Sequence, residues 1–320
     1  MTSPAVLRQS QQKIWEACVP LEIRLAKSEC KTYDESDPYL VMMPRVSYLP
    51  LLLPKLHAFF LDLLINEDAR FWHGWFSFEN VPLKWQFPVG LLFDIYSGSS
   101  DRLQDEDGQS PRKDASPVEQ RVGGAESPRT WQLTVHFDEY PADVLVRLDH
   151  DAKVLRDAFT NSYKESSFVR YSSTKVVQRL SMDDALQLWE AVEKHDFALF
   201  SPIQQKMMRP RDVEIKNIAL KIYLPATASD DDDEKSSTTP GHLRVIQGLV
   251  PPQISARQPQ TLGTALNSLV PSLFPSRKMP LLAQPVLHGA IVPLGVSLDT
   301  LSEIASYADG FLHMTVAMIR

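Results

Sequence analysis

The chain has 320 residues, 43% of them hydrophobic, and a formal net charge of -7 at pH 7. This length can bury the cores of two or three domains, and the acidic balance gives no overall attraction to nucleic acid. The two cysteines, Cys18 and Cys30, form no C-x-x-C pair and have no histidine cluster at ligand spacing beside them, so neither a disulfide framework nor a zinc site is expected and a reducing compartment fits.

The first part of the chain predicts one helix followed by alternating strands and helices. Ser3 and Pro4 favour a helix start, because a capping oxygen precedes a proline whose missing N–H costs nothing there. Pro20 is expected to stop this helix. Alternating apolar and charged residues at 21–25 then predict a half-buried strand. The elements that follow are strands at 39–43, 73–79 and 131–137 and helices at 49–64 and 88–96.

Residues 211–320 repeat this order of elements. The predicted strands lie at 215–224, 243–248, 286–292 and 311–319, and the predicted helices at 261–270 and 298–306. The order β-β-α-β-(α)-β therefore occurs twice. One helix crossing a small mixed sheet is the β-grasp, or ubiquitin-like, arrangement.

Between the two copies, helical periodicity replaces alternation. Leu155, Phe159 and Tyr163 share one face of a first helix, Ser181 is expected to cap a second, and Ser201-Pro202 to start a third. We therefore predict an α+β protein with two ubiquitin-like domains flanking a helix-rich domain. Its parts are an N-terminal helix (1–19), a first ubiquitin-like domain (20–142), a helix-rich domain (143–210) and a second ubiquitin-like domain (211–320).

Three stretches have the composition of insertions. Residues 97–129 are rich in Ser, Asp, Gly and Pro, residues 227–241 contain a run of acidic residues at 230–234, and residues 251–285 are proline-rich around one predicted helix. The first two are expected to stay mobile, because they contain too little apolar area to offset the entropy of ordering the chain.

Four strings in both halves of the chain resemble those of the autophagy protein 5 family. They are PLKWQFPVGLLFD at 82–94, YLVMMPRVSYL at 39–49, LTVHF at 133–137 and FLHMTV at 311–316. The resemblance implies a chain that accepts a covalent link from the ubiquitin-like autophagy protein 12 and binds the N-terminal helix of autophagy protein 16. It also implies that the assembled complex acts like an E3, stimulating transfer of autophagy protein 8 to phosphatidylethanolamine during autophagosome formation.

The family's acceptor lysine lies just after the first helix of the middle domain in a Phe-x-x-x-x-Lys-Glu setting. Phe159, Lys164 and Glu165 match that setting here, so the resemblance implies that Lys164 is the isopeptide acceptor. Helical geometry places Lys164 about 100° round from Tyr163, and its amine is therefore expected to be exposed. The alternative is a solvated surface lysine without this role.

Residues 153–179 hold six basic residues against two acidic ones in an otherwise acidic chain. Contact with anionic lipid, at about 1 kcal/mol per basic residue, is one hypothesis, and a solvated helix face paired elsewhere is the other. The candidate lipid contacts are Lys153, Arg156, Arg170, Lys175 and Arg179. No signal peptide is expected, because the N-terminus lacks a basic start followed by an apolar run. No membrane span is expected either, because the most apolar stretch, 48–65, is interrupted by prolines and charges. The resemblance implies a cytoplasmic protein, peripheral on the preautophagosomal or isolation membrane.

No catalytic residue, cofactor or metal is expected. Cys18 is assigned to the apolar run of the first helix, Cys30 to a polar loop without a nearby histidine, and His313 to a strand where it packs or forms hydrogen bonds. P-loop, G-x-S-x-G and H-E-x-x-H strings do not occur. The last residues follow a predicted strand directly, without a glycine-ending tail, so the chain is expected to accept a modifier and not to be one.

The expected docking site for the partner helix is a groove between the three domains. Trp85, Leu91, Leu92 and Phe93 are expected mostly to fill the first β-grasp core rather than to form an exposed platform. A lipidation E2 is expected to be recruited only through the conjugate. Two rival hypotheses stay open: a ubiquitin-like binding adaptor that is never conjugated, and a thiol transferase.

Overall fold

The computed structural model describes residues 4–32, 36–104, 130–210, 212–225 and 243–319. Within these ranges the chain forms an N-terminal helix, two five-stranded sheets and a set of helices between them. The N-terminal helix is α1 (Pro4–Trp15). The first β-grasp domain consists of β1 (Cys18–Leu25), β2 (Tyr39–Pro44), α2 (Leu53–Phe60), β3 (Trp75–Phe78), β4 (Val81–Pro82), α3 (Val89–Gln104) and β5 (Trp131–His136).

The first sheet has the strand order β2-β1-β5-β3-β4. Its central strands β1 and β5 run parallel, and the other pairs are antiparallel. The alternation of β1 places Leu21 and Ile23 on the buried face of the sheet, where they join Leu53, Leu56 and Phe60 of α2 in one apolar cluster. A strand with period two and a helix with period 3.6 thus bury complementary faces.

The middle of the chain consists of helices, as predicted. They are α4 (Lys153–Tyr171), α5 (Thr174–Val177), α6 (Met182–Glu193) and α7 (Phe197–Met208). Ser181 caps α6, because its hydroxyl accepts a hydrogen bond from the Asp184 N–H at 3.0 Å. The predicted start of the third helix at Ser201-Pro202 is wrong. The Asp196 side chain accepts hydrogen bonds from two N–H groups of the first turn, so α7 begins at Phe197 and Pro202 lies inside it.

The second β-grasp domain repeats the topology of the first. It consists of β6 (Leu220–Pro225), β7 (Leu243–Gln247), β8 (Gln253–Ser255), β9 (Gln258–Pro259), α8 (Leu262–Leu269), β10 (Ala283–Leu287), β11 (Ala290–Ile291), α9 (Leu298–Ala305) and β12 (Leu312–Met318). The sheet order is β11-β10-β12-β6-β7, with β6 and β12 parallel at its centre. This is the order of the first sheet read from the other edge, and it confirms the predicted pair of β-grasp domains.

Several predicted boundaries need correction. The single strand predicted at 286–292 is the hairpin of β10 and β11, in which His288 and Gly289 have positive φ and turn the chain. The first helix ends at Trp15, so Pro20 lies within β1 and does not stop the helix. Helix α3 extends to Gln104, into the predicted insertion at 97–129.

The remaining insertions divide into two kinds. Residues 105–129 and 227–241, on which the prediction of mobility rests, lie outside the described residues, as does the predicted cap Ser3. The stretch 251–285 contains β8, β9 and α8. Leu262 and Leu266 of α8 are fully buried against the second sheet, so this stretch is an integral part of the second domain.

Side-chain contacts attach α1 to the helical domain and the first β-grasp domain to the second. Trp15 of α1 stacks on His195 and packs against Phe200 of α7, with ring centroids 5.4 and 4.3 Å apart. The buried Arg45–Asp94 ion pair belongs to the first β-grasp domain. The Gly289 N–H of the second domain donates a 2.9 Å hydrogen bond to Asp94 Oδ2, so this ion pair also connects the two β-grasp domains.

Candidate functional site

Lys164 is exposed, as predicted, but it lies in the second half of α4 and not just after the helix, because α4 continues to Tyr171. The helix begins where the Asp149 carboxylate accepts hydrogen bonds from the N–H groups of its first two residues, at 3.1 and 2.9 Å. Leu155, Phe159 and Tyr163 form its buried face, also as predicted. Among the described residues, none forms a hydrogen bond or an ion pair with the Lys164 side chain. The amine is therefore accessible to a macromolecule that approaches α4 from solvent.

The exposed residues of α4 form a single stripe along the helix. They are Lys153, Asp157, Asn161, Lys164, Glu165 and Phe168. Spacings of three and four residues keep side chains on one side of a helix, so Lys164 lies within a continuous solvent-facing surface. We call this surface the α4 stripe.

The opposite side of α4 is attached to the turn at Asp309 and Gly310 in the second β-grasp domain. Ser162 Oγ donates a hydrogen bond to Asp309 Oδ2 at 2.7 Å, and Ser166 Oγ donates to the Asp309 main-chain oxygen at 2.7 Å. Arg170 Nη2 donates to the Gly310 main-chain oxygen at 3.0 Å. Lys164 is two residues from both Ser162 and Ser166, about 200° around the helix. These contacts therefore direct the lysine away from the second domain.

Asp309 is a buried carboxylate held by several donors. It accepts hydrogen bonds from Ser162, from the Phe311 N–H at 3.2 Å and from His313 Nε2 at 2.9 Å. Burial alone raises the pKa of Asp309, but the positive potential of His313 and the hydrogen bonds outweigh it, so the pKa lies below its usual range. His313 Nδ1 is 2.8 Å from the Tyr223 hydroxyl. A proton on Nε2 lets the ring donate to Asp309, and Nδ1 accepts from the Tyr223 hydroxyl when the ring is neutral or donates to it when the ring is charged.

A second contact joins the α4 stripe to the same domain. Glu165 pairs with Lys221 of β6 at 3.1 Å, and Lys221 Nζ lies 3.9 Å from the centroid of the Phe311 ring. Because Lys221 engages Glu165, the carboxylate next to Lys164 in the chain already has a partner. The acceptor candidate is thus held on a helix fixed from two sides while its own amine is unengaged.

The five residues predicted to contact lipid do not form one surface. Arg170 is only 3% exposed, so the prediction that it contacts the membrane is wrong. It lies seven residues after Tyr163, two helical turns along the buried face, and its guanidinium serves the contact with Gly310. Arg179 forms an ion pair with Asp212 and holds the pKa of that carboxyl at about 2. Lys153 and Lys175 are exposed and Arg156 is partly exposed. For these three and Arg179, lipid contact stays a prediction.

A cleft of about 260 Å³ lies where α1, α7 and α9 meet, at the junction of the N-terminal helix, the helical domain and the second β-grasp domain. Leu7, Met208 and Ile215 contribute apolar lining, and Arg209 forms a 3.0 Å ion pair with Asp299 on its wall. A neighbouring depression shares Ile215, Arg209 and Asp299 with it and extends to the start of β8. The two therefore form one elongated groove with apolar and charged walls.

The cysteines do not have the surroundings of a nucleophile. Cys18 is the first residue of β1 and not part of a helix, which corrects its predicted place, and burial raises the pKa of its thiol. Cys30 is buried with its sulfur 3.1 Å from the Thr32 hydroxyl. Among the described residues, no group of three His, Cys, Asp or Glu side chains is arranged to hold a metal ion. In the same part of the chain, no helix is long and apolar enough to cross a membrane.

The residues expected in the core of the first domain divide between two clusters. Leu92 and the partly buried Phe93 pack in the core of the first β-grasp domain, as predicted. Trp85 and Leu91 are buried as well, but in the cluster that contains the helical domain and the second β-grasp domain, so their predicted place is wrong. The Trp85 indole N–H donates to the Val146 main-chain oxygen at 2.8 Å. The connected set of Tyr223, His313, Asp309 and Ser162 was not predicted. The one signal was His313, a polar residue within an apolar strand for which a hydrogen bond was expected.

Two β-grasp domains around a helical bundle define the chain as a protein built on a doubled ubiquitin-like fold. Family models match it in three parts: "Autophagy protein ATG5, UblA domain" over residues 14–137, the "alpha-helical bundle region" over 152–210 and the "UblB domain" over 217–316. The chain belongs to the autophagy protein 5 family, and its role is in autophagy.

Individual relatives agree with this assignment. Autophagy protein 5 of Phaeosphaeria nodorum is 46% identical over 319 residues, covering 100% of both chains. Autophagy protein 5 of Neosartorya fischeri is 41% identical over 334 residues, covering 100% of this chain and 98% of the relative. The crystal structure of Kluyveromyces marxianus Atg5 superposes with a TM-score of 0.68 at 16% identity, covering 96% of this chain and 98% of that one, which shows a shared fold.

Proposed function

We propose that this chain is the scaffold that accepts the ubiquitin-like autophagy protein 12 through an isopeptide bond at Lys164. The observation that carries the proposal is an exposed, unengaged lysine on a helix whose other side is anchored to the second β-grasp domain. The residue also matches the acceptor setting that the family resemblance implies. A fixed helix presents its amine in one direction, which lowers the entropic cost of bringing the two reacting groups together.

The chemistry requires little from this chain beyond position. The neutral Lys164 amine attacks the thioester carbonyl carbon of the modifier, a C–N bond forms, the C–S bond to the conjugating enzyme breaks, the thiolate leaves and the amine loses its proton. Desolvation in the site of the conjugating enzyme favours the neutral amine. Ser162, Ser166 and Asp309 act only by holding α4.

The experiment that tests the acceptor is Lys164→Arg in the native cell, with Lys153→Arg as the matched control. Both lysines are exposed on the α4 stripe, and both changes keep the positive charge. Lys164→Arg is expected to abolish a stable higher-mass conjugate, and Lys153→Arg to leave it intact. A conjugate that persists in Lys164→Arg cells contradicts the assignment.

We further propose that the groove between α1, α7 and α9 receives the N-terminal helix of autophagy protein 16. Its lining combines the apolar residues Leu7, Met208 and Ile215 with the charged residues Arg209 and Asp299, which suits an amphipathic helix laid into a groove. Ile215→Asp is expected to weaken binding of that helix by at least about tenfold. Val245→Asp on β7, an exposed apolar position in the same domain, is the control and is expected to bind normally.

With both partners bound, the complex is proposed to act like an E3 on the membrane, promoting conjugation of autophagy protein 8 to phosphatidylethanolamine. The lipidation E2 is recruited through the conjugate, and this chain contributes no catalytic residue. Lys153, Arg156, Lys175 and Arg179 are proposed contacts for anionic lipid, an attraction that weakens with salt.

The second candidate is a binding adaptor that is never conjugated. The pairing of two ubiquitin-like domains with a docking groove favours it, because neither feature requires a covalent link. Full complementation by Lys164→Arg, together with an unmodified band at steady state in wild-type cells, is the result that selects this candidate.

A further inference from the structure

The end of α4 reverses the usual distribution of polar and apolar side chains. Among residues 166–171, all are buried except Phe168. Ser166 and Arg170 are 2% and 3% exposed, while Phe168 is 50% exposed. Aromatic side chains of this size normally contribute to a core, and arginine normally reaches solvent.

The rotation of α4 is fixed by contacts that leave Phe168 outside. Ser166 and Arg170 bind the turn at Asp309 and Gly310, and Val169 packs with Phe311 in a buried cluster. Turning the helix to bury the Phe168 ring would break these contacts. The folded chain therefore gains little from an aromatic ring at this position, since a polar side chain would keep the same anchoring.

Phe168 lies one helical turn after Lys164 on the α4 stripe. Residues four apart on a helix have Cβ atoms about 5–6 Å apart, and the other members of the stripe are polar or charged. An enzyme whose active cysteine brings a thioester to the Lys164 amine must cover the surface next to it. Phe168 is the large apolar side chain within that surface.

We propose that Phe168 is a docking residue for the conjugating enzyme that carries the modifier as a thioester, its ring covered by an apolar surface beside the active cysteine. This inference rests on Lys164 being the acceptor. Covering half of an aromatic side chain removes apolar area from water. The residue thereby contributes to binding of the enzyme without taking part in the chemistry.

The test is a reconstituted conjugation reaction of the full chain, with the concentration of thioester-charged conjugating enzyme varied. Phe168→Ala is expected to raise the KM for the charged enzyme by about tenfold with an unchanged rate at saturation, and Phe168→Leu to restore most of the affinity. Phe59→Ala in α2 is the matched control, because Phe59 is 48% exposed in a different domain. Thermal unfolding checks that the variants are folded.

The outcomes separate the two proposals. If Lys164→Arg is still conjugated, the acceptor assignment fails. If Lys164→Arg is inactive but Phe168→Ala keeps the wild-type KM, the acceptor stands and the docking role of Phe168 is wrong. If Phe168→Ala keeps its KM but loses flotation with phosphatidylcholine–phosphatidylserine vesicles, the ring contacts membrane and the inference is overturned.

Discussion

Asp309→Ala removes the side chain around which α4 and the second β-grasp domain are joined. The carboxylate accepts hydrogen bonds from His313, Ser162 and the Phe311 N–H. Truncation leaves the His313 and Phe311 donors buried without their acceptor, while Ser162 is partly exposed and can turn to water. Each stranded buried donor costs about 1–3 kcal/mol, so we expect about 4 kcal/mol of local destabilisation.

Amide hydrogen exchange under native conditions is the suitable measurement, because a chain with several domains need not unfold in one step. A loss of about 4 kcal/mol corresponds to roughly thousandfold faster exchange at the α4 amides of residues 166–171. The amides of α2, in the first β-grasp domain, are the internal control and are expected to keep their protection. Asp309→Asn preserves the shape and one acceptor oxygen, and a smaller effect is expected.

The reasoning is refuted if the α4 amides of Asp309→Ala exchange less than about tenfold faster than wild type, which corresponds to less than 1.4 kcal/mol. Such a result would mean that apolar packing around Val169 and Phe311 holds α4 without the buried polar contacts. Equal acceleration in α2 would instead show that the whole chain was destabilised and the effect was not local.

Two further predictions concern the buried charges. The pKa of Asp309 is lower in the folded chain than in an unfolded one, so its contribution to stability is present above the ordinary aspartate pKa and is lost as pH falls through the folded value. In urea unfolding at a series of pH values, the free energy of unfolding of wild type is therefore expected to fall more steeply in this acidic range than that of Asp309→Asn. Parallel pH dependences for the two proteins would contradict this. Asp94→Ala leaves Arg45 buried without its carboxylate and the Gly289 N–H unpaired, for a cost of about 3–5 kcal/mol. Burial raises the pKa of Asp94 despite Arg45, so Asp94→Asn should cost less. A wild-type melting temperature for Asp94→Ala would contradict a stabilising role of the Arg45–Asp94 ion pair and its bond to Gly289.

The parts of the fold that sequence could predict are those set by local periodicity. The alternation of β1 and the helical spacing of Leu53, Leu56 and Phe60 each define a buried face within a few residues of chain, and their repetition in the second half indicated two β-grasp domains. Arg170 could have been placed correctly by the same rule, since it falls on the helical face of Tyr163. Its charge favours exposure and its helical position favours burial, and the position decides.

The missed features depend on contacts between distant parts of the chain. Ser162 and Asp309 are 147 residues apart, and no local pattern marks either of them as the other's partner. The hairpin of β10 and β11 was not predicted because it turns at His288, which adopts a positive φ. Histidine is not a residue type that indicates such a turn. The sequence offers two start signals for α7, the Ser201-Pro202 pair and the Asp196 cap, and the structure uses Asp196.

The doubled fold has a physical consequence for how the lysine is presented. Successive side chains of a strand point to opposite faces of its sheet. Ile222 of β6 and Met314 of β12 are paired across the two strands and therefore share one face, so Tyr223 and His313 lie on the other face. In a single β-grasp domain, that face of the sheet is not part of the core. Here it carries the hydrogen bonds that run from Tyr223 through His313 to Asp309 and on to Ser162 of α4. The second ubiquitin-like domain therefore serves as the support that fixes α4, and through α4 the direction in which Lys164 and Phe168 face solvent.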